Sequence, residues 1–414
     1  MTEKINGLLG RTLAHSFSVA IHNELGNPDY QLYELEPEQL DAFFANNCID
    51  LLNVTIPYKK SVLPYCDSLS AEARAIGSVN TIVTTSAGLL GLNTDVFGFA
   101  YMAKRAGISF RGRKVLICGS GGASAAVQYL AERASAQAVI VVSRSGEVTY
   151  ETLSDYEDFE VLVNTTPVGM YPEASGSTVV DLRRFPHLEA VLDVVYNPLS
   201  TALIMQAQEQ QIASVGGLPM LVAQALPAEE LFQSREIGDD EIERILTQLY
   251  RDIENIVLVG MPGSGKSTVG KALVGMTGRE LVDLDDKIVE SAGMSIPELF
   301  SRFGEAGFRR IESEQAARYG AQHGKIIVGG GGVVTQAGNY YPLHQNGRLY
   351  HITRETALLA RAGRPLSLEA DLEALYRQRL PLYERFADAV VSNAGTPQQT
   401  AADIWREFNE NTRH

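Results

Sequence analysis

The sequence predicts an α/β protein built from successive parallel-sheet units, and three observations carry that expectation. Short apolar runs rich in β-branched residues, such as 51–56 and 115–118, alternate with amphipathic stretches such as 123–134, the pattern of strands joined through helices. Two glycine-rich loops, at 119–122 and 260–265, each stand between an apolar run and a helical stretch, where backbone N–H groups can converge on phosphate at a helix N-terminus. A chain of 414 residues is also longer than one hydrophobic core serves. The two loops differ in type and no internal repeat is visible, so the halves are not copies.

The polar, acidic stretch 234–254 leads into a fresh strand at Asn255–Val259. Ile242, Ile245, Leu246 and Leu249 recur in it at helical spacing, so it reads as a helix closing the first unit, with the boundary near residue 253. The formal charge of -15 and the lack of any Lys/Arg cluster argue against nucleic-acid or anionic-membrane partners. Small-molecule substrates are expected instead. No apolar run approaches the roughly 20 residues that span a bilayer, and the N-terminus shows no charged-then-apolar leader, so a cytoplasmic location is expected. Cys48, Cys66 and Cys118 have no metal-ligand spacing and read as reduced thiols.

In the first unit, 115–118 followed by Gly119-Ser120-Gly121-Gly122-Ala123 reads as strand, tight turn and helix start. Such a string is weak evidence alone, but a second strand at Ala138–Val142 follows at the distance a Rossmann unit requires. It ends in Ser143-Arg144-Ser145, where an NAD site carries a carboxylate for the ribose diol. Arg144 between two hydroxyls suits a 2′-phosphate, so NADP is expected over NAD. An exposed surface arginine is the bland alternative.

Ahead of that loop, four polar clusters interrupt apolar strands: His15-Ser16-Phe17-Ser18, Asn53-Val54-Thr55-Ile56-Pro57-Tyr58-Lys59, Val79-Asn80-Thr81 and Leu92-Asn93-Thr94-Asp95. Singly, each is equally well a cap or a turn. In this order, and followed by Asn164-Thr165-Thr166-Pro167-Val168-Gly169-Met170, Asp193-Val194-Val195-Tyr196-Asn197-Pro198 and the run from Gly217 to Gln224, they resemble the shikimate dehydrogenase family over residues 1 to about 250.

The resemblance implies that Ser16, Ser18 and Tyr196 hold the substrate carboxylate, and that Thr55, Asn80, Asp95 and Gln224 read its other oxygens. It implies that Gly119, Gly121, Gly122, Ala123, Thr165, Val194 and Gly217, with Ser143, Arg144 and Ser145, hold NADP(H). Lys59 and Asp95 become the acid–base pair, because hydride reduction of a ketone leaves an alkoxide that needs a proton and a tuned lysine gives it. Without the surrounding motif, Lys59 beside Lys60 reads as a solvated lysine. Val19 stands where the family usually has proline, Pro219 where it has glycine, and no second basic residue follows Arg144. The stretch between Arg144 and Tyr156 is short. A trimmed cofactor domain is expected, with NADP favoured by a reduced margin.

In the second unit, Gly260-Met261-Pro262-Gly263-Ser264-Gly265-Lys266-Ser267-Thr268 is a P-loop between strand and helix. Lys266 would neutralise the β/γ-phosphates of ATP and Ser267 would ligate Mg2+. The loop alone leaves kinase, GTPase-like switch and motor open. A strand at 280–284 would deliver Asp283 and Asp285 on one face, although paired acids there are also compatible with a solvated edge. Gly304 to Glu312, with Arg309 inside it, the run Gly329-Gly330-Gly331-Gly332, and Arg379-Leu380-Pro381-Leu382-Tyr383 complete a resemblance to shikimate kinases from 255 to about 395. It implies that Asp285 binds substrate hydroxyls and acts as base, and that Arg309 and Arg379 grip the carboxylate, with Glu312 supporting Arg309. Gly330 and Gly331 bring backbone N–H groups to the substrate. Asp283 acts on the metal through water. Gly263, Ser264, Gly265, Lys266, Ser267, Thr268 and the lid residue Arg364 bind ATP. The lid region between Arg354 and Pro365 looks short for the family, and weaker exclusion of water from phosphoryl transfer is expected from it.

The resemblances imply an N-terminal α/β substrate domain (1–98, with returning helices 216–252), a Rossmann-type NADP domain (99–215) and a P-loop, nucleoside-monophosphate-kinase-like parallel α/β domain (253–414). They imply NADPH-dependent reduction of 3-dehydroshikimate followed by MgATP-dependent phosphorylation of shikimate. A quinate-using relative with another kinase acceptor is an alternative, as is a non-enzymatic sensor on the same folds. Against the sensor stand Lys59, Asp95, Lys266 and Asp285, and the lack of a helix-turn-helix or basic arm.

Overall fold

A computed structural model describes residues 4–13, 16–174, 176–355, 359 and 372–411. The chain divides into two units, Met1–Leu246 and Thr247–His414, and the boundary falls inside the helix Asp239–Ile253. That helix forms where the periodic apolar residues place it, with Ile242, Ile245 and Leu246 fully buried. No helix of the described residues is long and apolar enough to cross a membrane.

The first unit holds two sheets. β1 (Lys4–Gly10), β2 (Gln31–Glu34), β3 (Cys48–Val54), β4 (Ser68–Leu69), β5 (Thr81–Thr85) and β6 (Gly88–Leu92) lie in the order β2-β1-β3-β5-β6-β4. β1 runs parallel to β2 and β3, while β5 is antiparallel to both β3 and β6. Along β3, Leu52 and Val54 enter one core with Ile5 and Leu9, and Leu51 enters another with Leu8 and Val83. That alternation is the two-residue period of a strand covered on both faces.

The second sheet comprises β7 (Lys114–Cys118), β8 (Ala138–Val142), β9 (Val161–Asn164), β10 (Ala190–Asp193) and β11 (Ala213–Val215), all parallel, in the order β11-β10-β9-β7-β8. Val115 and Ile117 pack with Phe99, Met102 and Val127, whereas Leu116 and Cys118 pack with Leu182, Leu203 and Ile204. Cover on both faces explains why this strand is apolar throughout. From β8 on one flank of β7 the chain crosses to β9 on the other. That reversal is the topological switch point at which open α/β sheets bind ligands. The crossover contains the 3-10 segment Tyr150–Tyr156, so the short stretch after Arg144 leaves β8 as the last strand of its sheet.

The second unit carries β12 (Asn255–Val259), β13 (Leu281–Asp283), β14 (Ile326–Val328), β15 (Gly347–Thr353) and β16 (Ala389–Ser392), parallel and ordered β13-β14-β12-β15-β16. Ile256 and Leu258 face a core with Leu273 and Phe408, and Val257 and Val259 face one with Val282 and Leu343. Asp283 corrects the sequence expectation that it and Asp285 leave one strand. It ends β13 in extended backbone and its side chain caps the helix Leu284–Ala292 by accepting from the Asp285 N–H. Asp285 therefore stands in the first helical turn, because an N-cap residue keeps strand-like dihedrals while the next residue turns helical.

The carboxyl ends of β9 and β10 are tied together by the buried Asp193, which accepts from Asn164 Nδ2 (2.9 Å), the Val195 N–H (3.0 Å) and Thr201 Oγ1 (2.6 Å). Burial outweighs these donors and pushes its carboxyl up to about 7. The folded state thus holds this proton more tightly than the unfolded chain does. The resulting stabilisation is complete below the ordinary carboxyl pKa and vanishes as pH rises through about 7. Between about pH 5 and about pH 8, the thermal midpoint of the wild type should fall more steeply than that of Asp193→Asn; parallel slopes would contradict the assignment.

Candidate active sites

Lys59 follows β3 and is locked by its neighbours. The Tyr58 side chain is buried and its hydroxyl donates to the Leu35 carbonyl, while the Val79 N–H donates to the Lys59 carbonyl at 2.7 Å. The Lys59 ammonium donates to Asp95 Oδ2 at 2.6 Å. Asp95 opens the helix Asp95–Arg105 and is 1% exposed, so the helix N-terminus adds to its compensation. Asn80 Nδ2 lies within hydrogen-bond range of Asp95 Oδ1 (2.9 Å), Thr94 Oγ1 (3.0 Å) and Gln224 Oε1 (3.2 Å). Lys59, Asn80, Asp95 and Gln224 are therefore one cluster, assembled from four separate chain segments.

Other segments of the first unit carry the remaining hydroxyls singled out in the sequence. Ser16 Oγ donates to Ser18 Oγ at 3.0 Å, and Phe17 between them faces the Tyr196 ring, with centroids 5.7 Å apart. Burial raises the Tyr196 phenol, so it stays a donor. Thr55 follows β3, its N–H donating to the Leu9 carbonyl at 2.9 Å, which sets it beside the end of β1.

The first glycine loop meets this cluster. Gly119 adopts φ +105, and an added Cβ would stand 2.7 Å from Thr165 Oγ1. Thr165 is pinned to β7 through its Oγ1–H and N–H, both donating to the Cys118 carbonyl (2.7 and 2.8 Å). A Cβ on Gly217 would stand 2.2 Å from the Val194 carbonyl oxygen, so Thr165, Val194 and Gly217 are held around the switch point. Gly121 and Gly122 open the helix Gly122–Arg133, with Ala123 in its first turn, and nothing lies within 4 Å of a Cβ on Gly121. A Cβ on Gly122 would be 3.5 Å from Lys59 Cδ. A dinucleotide lying along this helix start would reach Lys59 directly, and the open cradle fits one. At the end of β8, Ser143 is buried while Arg144 and Ser145 are exposed.

In the second unit, Gly265 holds φ +95 and starts the helix Lys266–Thr277, with Gly263 before it and Thr268 exposed on its first turn. The Lys266 ammonium is 5% exposed and donates to the Gly260 and Met261 carbonyls at 2.9 and 3.0 Å. Ser267 Oγ donates to Asp283 Oδ2 at 2.8 Å, a hydroxyl–carboxylate pair that suits a hydrated Mg2+ beside bound phosphates. The Ser264 carbonyl accepts from Asn393 Nδ2 at 2.8 Å.

The four-glycine loop after β14 gathers the remaining residues. A Cβ on Gly330 would stand 2.8 Å from both Asp285 Oδ1 and Glu312 Oε1, and one on Gly331 2.7 Å from the Pro262 ring. Arg309 Nη1 donates to Glu312 Oε2 at 2.7 Å, and Arg379 Nη1 donates to the Gly331 carbonyl at 2.9 Å. Burial raises the Glu312 carboxyl against the pull of Arg309. Two guanidinium groups and two carboxylates thus face a backbone loop that abuts the phosphate loop. Such an arrangement can hold an anionic polyol next to a phosphate bound at the P-loop. Arg364 lies outside the described residues.

Sequence reasoning missed Gly332, whose absent Cβ leaves room for the Arg309 guanidinium. It also missed His351, buried on β15, stacked on Tyr383 and lowered to about 4 by burial and then by Lys266. A lone histidine in an apolar strand gives no signal of such a neighbour.

A family model described as shikimate kinase matches residues 262–409, and one described as shikimate dehydrogenase substrate binding domain matches residues 8–82. The chain is 35% identical over 270 residues to the shikimate dehydrogenase (NADP(+)) of Clostridium perfringens (strain SM101 / Type A), covering 59% of this chain and 98% of that protein. It is 36% identical over 273 residues to the enzyme of the same name from Clostridium beijerinckii, covering 60% and 97%. Among solved structures, a chorismate mutase/shikimate 5-dehydrogenase fusion protein from Clostridium acetobutylicum matches at 33% identity and TM-score 0.56, over 60% of this chain and 98% of that one. Shikimate 5-dehydrogenase from Thermus thermophilus, in complex with NADP(H) and shikimate, matches at 28% and 0.53, over 60% and 99%.

The crowding at Gly330 generates a test. Gly330→Ala should lower phosphoryl transfer by at least about tenfold while ATP binding persists, because the methyl displaces Asp285 and Glu312 but not the P-loop. A turnover equal to wild type would remove this loop from the acceptor site.

Proposed function

The chain belongs to the shikimate dehydrogenase family and carries a shikimate kinase domain behind it, and we propose that it reduces 3-dehydroshikimate to shikimate and then phosphorylates shikimate on its 3-hydroxyl. The observation that carries the first step is the Lys59 ammonium, 2.6 Å from Asp95, on a side chain that lies against the start of the dinucleotide helix. Residues 1–98 with 216–252 bind the substrate, 99–215 bind the dinucleotide and 253–414 carry the kinase.

Bound NADPH supplies the hydride and bound MgATP the γ-phosphoryl group. Lys59 gives its proton to the oxygen that becomes the new hydroxyl, and Asp95 holds the ammonium on line and binds the same hydroxyl. Asn80, Gln224 and Thr55 fix the ring oxygens. Ser16, Ser18 and Tyr196 hold the carboxylate, so that only one ring face meets the cofactor. In the kinase, Arg309 and Arg379 clamp the carboxylate, and Asp285 takes the proton of the attacking hydroxyl. Lys266 would neutralise the β/γ-phosphates, and Ser267, with Asp283 through water, would hold Mg2+, which would supply charge stabilisation to the transferring group. The product of the first unit is the acceptor of the second.

Lys59→Ala should lower reduction by roughly 100-fold or more while phosphorylation of supplied shikimate is spared. Lys266→Ala should do the reverse. Loss of both activities in either folded variant would refute two independent sites. The exposed Arg144 supports NADP over NAD, and Arg144→Ala should shrink that preference about tenfold in kcat/KM. Equal use of both cofactors by the wild type would overturn the assignment.

A further inference from the structure

Asp95 is reached through Asn80 by a line of polar groups that begins at Tyr30, a residue outside the proposed substrate contacts. Tyr30 Oη donates to Asn53 Oδ1 (2.7 Å), Asn53 Nδ2 to Thr81 Oγ1 (2.9 Å), Thr81 Oγ1 to Asn80 Oδ1 (3.2 Å), and Asn80 Nδ2 to Asp95 Oδ1 (2.9 Å). Every donor points the same way, toward the carboxylate that holds Lys59. Hydrogen bonds in such a chain polarise one another when water is excluded. Tyr30, Asn80, Thr81 and Asp95 are each at most 3% exposed, and Asn53 between them is half-buried.

The far end is clamped. The Tyr30 ring lies flat on His22, with centroids 3.7 Å apart and 5° between planes. Burial lowers the His22 pKa, and its Nδ1 lies 2.5 Å from Glu229 Oε1. Glu229, itself fully buried, also accepts from Asn27 (2.7 Å) and Gln233 (2.6 Å). The imidazole therefore cannot tilt without breaking a buried carboxylate's hydrogen bonds. The phenol stacked on it directs its hydroxyl to the Asn53 side-chain oxygen.

We propose that Tyr30, held by the His22–Glu229 pair, is a positioning residue for the proton-transfer pair Lys59–Asp95. It fixes the amide of Asn53, which fixes the Thr81 hydroxyl, which joins the Thr94 N–H (2.8 Å) in holding the Asn80 amide oxygen inward and its nitrogen toward Asp95 and Gln224. Without that line, the Thr81 hydroxyl turns to Thr94 Oγ1, 3.4 Å away, and Asn80 Oδ1 loses one of its donors and is held by Thr94 alone. Asp95 then holds the Lys59 ammonium with more angular freedom. The inference rests on the reading of the first unit as the reductase.

Tyr30→Phe removes the hydroxyl and keeps the stacked ring. The measurement is kcat and KM for reduction of 3-dehydroshikimate, with NADP+ affinity, thermal midpoint and phosphorylation of supplied shikimate recorded on the same protein. The expected result is a kcat lowered about tenfold, the worth of one well-placed hydrogen bond, with KM, NADP+ affinity and the kinase rate within about twofold. A purely structural tyrosine would lower the midpoint and leave kcat of the folded protein unchanged, and a kcat within about twofold of wild type overturns the proposal. If Tyr30→Phe fails to bind NADP+ and so has not folded, Glu229→Gln, which loosens the clamp on His22, is judged by the same criteria. A wild type that does not reduce 3-dehydroshikimate would sink the functional reading instead, which separates the two failures.

Discussion

A carboxylate taken out of water must be met by donors fixed in place, because its lost hydration is worth far more than any single contact. Four such acids organise the described structure. Asp95 collects Lys59 and Asn80, Glu229 collects His22, Asn27 and Gln233, Asp193 collects Asn164, Thr201 and the Val195 N–H, and Glu312 collects Arg309. Most of the donors to the first three come from segments far apart in sequence, so those acids close long loops as they are satisfied. Two of the four border the groups that handle substrate in the proposed mechanism, and the other two hold the scaffolding behind those groups. Geometry at the sites is inherited from the requirement that each buried carboxyl group be met by hydrogen-bond donors.

Around these acids the chain is brought closer than side chains permit. At Gly217 the backbone runs against the Val194 carbonyl, and at Gly330 against two carboxylates. Parallel sheets deliver their strand-to-helix loops to the same edge, and here two of these loops meet where one of them lacks a Cβ. The first contact closes the dinucleotide cradle. The second sets acceptor groups beside the P-loop, since the neighbouring Gly331 presses on Pro262.

Much of this was legible in the chain. The central strands β9, β10 and β12 are buried over their whole length and mostly apolar, which signals cover on both faces, and the acidic helix announced itself through Ile242, Ile245 and Leu246. The P-loop needed only its flanking strand and helix. Asp283 misled because a helix N-cap has strand dihedrals, so the turn to helix one residue later leaves no mark in a hydrophobic pattern. The Tyr30–His22–Glu229 assembly was invisible for another reason: its partners lie 207 residues apart between His22 and Glu229, and each is unremarkable within its own segment. Lys59 and Asp95 were paired through family resemblance; nothing in their 36-residue separation implies contact.

The crossover shortened to Tyr150–Tyr156 has a consequence outside cofactor binding. It leaves β8, Ala-Val-Ile-Val-Val, as an edge strand, and among the described residues its outer side carries only the single bridge from Val142 to Val148. Five uncharged residues of high β-propensity with open main-chain groups are a template for strand addition by another chain. Brevity, and the charge of Arg144 just beyond its end, are the protections this edge has. Colloidal stability therefore constrains the length of this crossover, and any lengthening of β8 would have to bring its own cover.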